Sequence, residues 1–151
     1  MGDKNMNLKS DERKDLFKYM INEDKPNGDQ RWGWYAGGQL EALEFYLDED
    51  KVNILATYME DDYQGECFAI LKIDDVYIIW RDSFGSCSGC DALEGENGYE
   101  YIKETLSEGN TLQFHSLNDA ELYVMEDLNG DKYSEWNSMP LTMFNEAKRN
   151  E

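Results

Sequence analysis

The chain is short of histidine, cysteine, proline and positive charge: one His, three Cys, two Pro, and 14 Lys and Arg against 33 Asp and Glu in 151 residues. A zinc deaminase needs a His-x-Glu ahead of its CxxC, whereas His115 follows the CxxC and is itself followed by Ser-Leu. Three cysteines are odd in number and too few for a disulfide scaffold of this size. No apolar run approaches the ~20 residues of a membrane span. The first 25 residues are rich in Lys, Asp and Glu and lack the apolar stretch of a secretory signal. These absences predict a cytoplasmic protein with no membrane partner.

The scarcity of cations is uneven. Residues 1–31 hold seven basic and seven acidic residues, while 32–147 hold five basic residues (Lys51, Lys72, Arg81, Lys103, Lys132) and 25 acidic ones. The body therefore carries the whole excess of a net charge of −19. Such a surface repels nucleic acid phosphates, so direct nucleic acid binding is excluded and the expected partners are basic proteins or metal ions. Solubility alone needs a net charge of only ~2–8 in a small domain.

What the chain does have is apolar and aromatic residues, 40% and 13% of the total, enough to predict a folded protein rather than an acidic tail. By length it reads as one domain over 1–151, with a neutral N-terminal helical segment (1–31) and an acidic α+β body (32–151). Leu16, Phe17, Met20 and Ile21 mark a helix behind Ser10 that should stop before Lys25-Pro26-Asn27-Gly28. Leu40, Leu43 and Leu47 mark a second, ending at Asp48-Glu49-Asp50.

Val52 to Met59, Cys67 to Ile73 and Val76 to Trp80 read as strands. Only Asp74-Asp75 separates the last two, so the sheet is an antiparallel meander of three or more strands, since a parallel crossover needs about a dozen residues. Helices follow around Tyr99 to Leu106, from Ser116 to Asn129-Gly130, and from Pro140 onward, with a short strand at Thr111 to Phe114. The expected class is α+β, a central antiparallel sheet packed by several helices.

GSCSGCDAL, residues 85–93, follows the third strand after Arg81-Asp82-Ser83-Phe84. Its CxxC could grip a tetrahedral ion, and Cys67 with His115 would complete a structural Cys3His zinc site of Cys67, Cys87, Cys90 and His115. A helix start after the turn would lower a thiol pKa and suit a redox pair, but Asp91 opposes this and the βαβ context of such pairs is missing. A Cys–His nucleophilic pair would depend on His115 alone. The simplest reading makes the glycines and serines a turn and the cysteines small buried hydrophobes. No cofactor is then expected, and zinc is the metal the ligand set would fit.

With Asp62-Tyr63-Gln64-Gly65-Glu66 upstream, the cysteine turn resembles a group of small uncharacterised bacteriophage and mobile-element proteins over roughly residues 50–95. The resemblance implies a source, and with it a bacterial host cell, but no catalytic residue.

Acidic clusters mark the ends of the predicted sheet: Asp48-Glu49-Asp50 and Asp74-Asp75 at one end, Glu60-Asp61-Asp62 at the other. They could hold a metal for phosphodiester hydrolysis, but a nuclease must also hold a polyanion. They fit better as negative charge offered to a basic groove in place of phosphates. Trp32 and Trp34, between glycines, are candidate interface anchors. Asp127-x-Asn129-x-Asp131 resembles the start of a calcium loop, but Lys132 and Ser138 occupy positions six and twelve, and a helix C-terminus explains the same residues.

The expected function is that of a non-enzymatic inhibitor of anti-defence type. It would bind a basic nucleic-acid-handling host protein such as a CRISPR effector or restriction enzyme. The alternatives are a small nucleotide-binding protein or enzyme, with the cysteine turn or carboxylates at its site, and an immunity protein against a basic toxin nuclease.

Overall fold

The three apolar runs at the centre of the chain pair with one another, and a fourth strand closes the sheet. The computed structural model describes residues 16, 19–23, 38–60, 65–84, 98–107, 111–130 and 135–151. Strands β1 (Val52–Met59), β2 (Gly65–Ile73), β3 (Val76–Phe84) and β4 (Thr111–Phe114) lie in that order, each antiparallel to the next. Asp74-Asp75 is the two-residue loop expected between β2 and β3, with Ile73 opposite Val76. Asp74 takes φ 52°, the left-handed setting that such loops require and that Asp tolerates better than branched residues.

Helices cover both faces of the sheet: α1 (Gly38–Tyr46), α2 (Gly98–Ser107), α3 (Leu117–Gly130) and α4 (Thr142–Asn150), with a 3₁₀ turn at Glu135–Ser138. The strand period of two sorts the side chains. Cys67, Ala69, Leu71, Ile78 and Trp80 pack with α1 and α2; Phe68, Ile70 and Ile79 pack with α3 and α4. Trp80 is fully buried, and its indole N–H donates to Thr105 Oγ1 at 3.0 Å, so its one polar atom is satisfied. Helix α3 begins where the capping pattern placed it, with Ser116 Oγ accepting the Asp119 N–H at 3.1 Å. Asp127 and Asn129 lie within this helix, so they do not open a calcium loop.

The structure departs from the sequence reading in three places. Strands β2 and β3 extend past their apolar runs, to Gly65 and Phe84. The Arg81 guanidinium pairs with the Glu66 carboxylate on the α3/α4 side, so two charged residues that resemble strand ends continue the ladder instead. The buried stripe of α1 is Gln39, Ala42, Leu43 and Tyr46, while Leu47 lies beyond the helix. Of the expected N-terminal helix, Leu16, Tyr19 and Met20 are helical. Ile21 bridges Leu47, Asn22 N–H donates to Tyr46 O at 2.9 Å, and Asp48 N–H donates to Met20 O at 2.7 Å. Buried Met20 and Ile21 tie this segment to the first core.

Candidate functional site

The register divides the sheet into two ends of opposite character. Val52 faces Ile73, which places Asp48-Glu49-Asp50 and the Asp74-Asp75 loop together at one end, as the meander predicts. Glu49, Asp50, Asp74 and Asp75 are exposed there. Asp48 serves the turn: its Oδ1 accepts the Asp50 N–H at 3.0 Å and its Oδ2 stands 3.8 Å from Lys51. Glu60 is at the other end, and its Oε1 accepts the Glu66 N–H at 2.7 Å, so this carboxylate closes the β1–β2 connection. Asp61, Asp62, Trp32 and Trp34 lie outside the described residues.

Four of the six described cations are held beside carboxylates. Lys51 pairs with Asp48, Lys72 with Glu151 at 3.5 Å, Arg81 with Glu66 and Lys148 with Glu121 at 2.7 Å. Glu41, Glu44, Glu49, Asp50, Asp74 and Asp75 are exposed and carry no ion pair among the described residues. The result is a field of open carboxylates with little positive charge to offset it.

The opposite end buries a polar cluster that the sequence reading missed. Asp82 follows Ile78 and Trp80 on the α1/α2 face and is only 5% exposed. Its Oδ2 accepts the Tyr101 hydroxyl of α2 at 2.7 Å, and its Oδ1 accepts the Ser83 N–H at 2.9 Å. Burial pushes its pKa up to about 6, against the hydrogen bonds from Tyr101 and Ser83 and the nearby Arg81 charge, which lower it. Cys67 faces Asp82 in register and is fully buried. Burial and then the Asp82 carboxylate push the Cys67 thiol far above its ordinary range, so it stays protonated at neutral pH in this setting. Gln39 at the start of α1 donates to Ser83 O at 3.2 Å, while its buried Oε1 has no hydrogen-bond partner among the described residues.

Comparison with known protein families, curated proteins and solved structures finds no match for this chain.

Of the expected zinc ligands, Cys67 and His115 are not brought together. His115 follows Phe114, which faces Tyr77, and is exposed at the acidic end; Cys67 faces Asp82 at the other. Five residues along β3 and two strand spacings separate the two levels, roughly 20 Å, whereas ligands of one zinc ion stand within about 4 Å of each other. His115 therefore cannot complete a site with Cys67. Cys87 and Cys90 lie outside the described residues, and no group of three metal-ligating side chains is found among the described ones. The alternation Ile78, Trp80, Asp82 was the one sequence signal for the buried carboxylate, because it continues the α1/α2 face by one more step.

Proposed function

We propose that the chain is an acidic inhibitor of phage or mobile-element origin, which binds a basic nucleic-acid-handling protein of the bacterial host by offering carboxylates where that protein expects phosphates. The support is that most described cations are held in ion pairs while exposed carboxylates at the sheet end that carries Glu49, Asp50, Asp74 and Asp75 have none among the described residues. Opposed fields of this kind accelerate encounter and weaken as salt screens them.

The test is capture from a bacterial lysate followed by affinity measurement against the captured protein. A basic nucleic-acid-binding protein should be retained, DNA should compete with the chain for it, and its affinity for the chain should fall on the order of tenfold or more from low to high salt. The triple change Glu49→Lys, Asp50→Lys and Asp75→Lys should weaken binding further. Affinity that is flat in salt and indifferent to these changes overturns the reading.

A small-ligand function is the second reading, favoured by one observation: a buried carboxylate with a raised pKa beside Tyr101 and a Gln39 Oε1 without a hydrogen-bond partner among the described residues. Native mass spectrometry of the purified chain decides it, since a bound nucleotide adds mass and an empty chain does not.

A further inference from the structure

We propose that the second half of strand β1, Thr57 to Met59, is a docking edge onto which a basic partner protein adds an extended segment as a fifth strand. β1 is the outer strand of the sheet. Glu60 N–H donates to Glu66 O at 3.0 Å, which makes Glu60–Glu66 a hydrogen-bonded pair of the ladder. Pairs in an antiparallel ladder alternate, so Tyr58 and Ala56 turn their backbone groups toward β2 while Thr57 and Met59 turn theirs outward.

Proteins ordinarily guard such an edge with a bulge, a covering element, a charge or a proline. The first half of β1 is guarded in this way. The register shifts between Ile54 and Ala56, and Asn150 Nδ2 at the end of α4 donates to Leu55 O at 2.8 Å. The second half has none of these devices among the described residues. Thr57, Tyr58 and Met59 are uncharged and exposed, Tyr58 at 39% and Met59 at 44%. Their side chains alternate across the sheet, so an added strand finds an apolar contact on each side. The opposite edge differs, because β4 is four residues long and buried or half-buried throughout.

The charge of the chain selects the occupant. A second copy would bring another net −19 to the same edge, whereas a segment rich in Lys and Arg is attracted to it. The basicity of the partner rests on the function proposed above; the geometry of the edge does not.

Amide hydrogen exchange in the presence of an alternating Lys-Val peptide of about eight residues, the length of a strand, provides the test. Bound peptide should slow exchange of the Thr57 and Met59 amides by about tenfold or more. Methylating alternate peptide nitrogens should abolish the effect. Thr57→Pro removes one outward N–H at a position where an edge strand tolerates proline, and should weaken binding at least about fivefold with the unfolding midpoint unchanged. Should that variant not fold, Met59→Lys places a guard charge on an exposed position and should weaken binding in the same direction.

A peptide that does not bind, or that binds and leaves Thr57 and Met59 unprotected while shifting Glu49, Asp50 and Asp75, overturns the edge; the second of these results leaves the charge reading standing. A self-dimer with protected Thr57 and Met59 overturns the basic partner in favour of a second copy. A Glu-Val peptide that protects both amides equally well retains the edge and overturns the charge reading.

Discussion

Asp82→Asn should stabilise the protein, and by an amount that depends on pH. The carboxylate is almost wholly buried and its pKa rises from 3.8 to about 6 on folding. The folded chain therefore holds the proton more tightly than the unfolded one, and stability falls as pH rises from below 3.8 through about 6. Above that window the charged side chain costs roughly 3 kcal/mol relative to a protonated one, because each tenfold gain in proton affinity on folding is worth about 1.4 kcal/mol. Asparagine has the same shape and no charge. Its Oδ1 can accept the Ser83 N–H, and its Nδ2 can donate to the Tyr101 hydroxyl, which rotates to receive it.

Urea unfolding followed by tryptophan fluorescence measures the difference, since Trp80 and Trp136 are both buried. A range of about pH 5 to 8 stays clear of the isoelectric point near 4.2, where a protein of no net charge precipitates. Over that range the stability gained by the variant should grow by roughly 1–1.5 kcal/mol, reaching about 1–3 kcal/mol at pH 8. Comparison with the wild type cancels the self-repulsion of the other carboxylates, which also changes with pH. A variant less stable than wild type at pH 8, or a difference that is level from pH 5 to 8, refutes the reasoning.

Tyr101→Phe removes a charge-assisted hydrogen bond that lowers the Asp82 pKa, so it should destabilise by roughly 1.5–3 kcal/mol at pH 8 and by less at pH 5, in the same urea assay. Asp74→Val places a branched residue at φ 52°, which should cost about 1–2 kcal/mol by thermal unfolding, while Asp74→Gly should be neutral or stabilising.

The meander was legible because its signals are local. Asp74-Asp75 between two apolar runs leaves room only for a hairpin, and Ser116 three residues ahead of Asp119 starts α3 by a hydrogen bond that stays within one helical turn. The acidic end followed from the same logic, since antiparallel order alone places residues 48–50 beside 74–75. What the sequence concealed depends on partners distant along the chain. Arg81 and Asp82 look like a strand end until Glu66 and Tyr101 are brought beside them, one on each face of the sheet. Cys67 and His115 resembled co-ligands because a residue inventory contains no distances; the register separates them. The period of two along β3 reaches Asp82, but neither its Tyr101 partner nor the distance from Cys67 to His115 is available from composition or periodicity, which describe one element at a time.

The two ends of the sheet bear on why the chain is so acidic. Acids kept for solubility need only be numerous and scattered, and a charge far below −19 in magnitude would suffice. Here the placement is selective. Lys51, Lys72 and Lys148 are each held beside a carboxylate, and Glu41, Glu44, Glu49, Asp50, Asp74 and Asp75 are left open among the described residues. Self-repulsion among open acids lowers stability, and so does the buried Asp82 carboxylate. Asn or Gln would relieve either burden with a single substitution, the kind of gain that is readily found where function does not oppose it. On the function proposed above, a cationic partner would recover the repulsion among the surface acids left without an ion pair among the described residues, whereas solvated loops recover none.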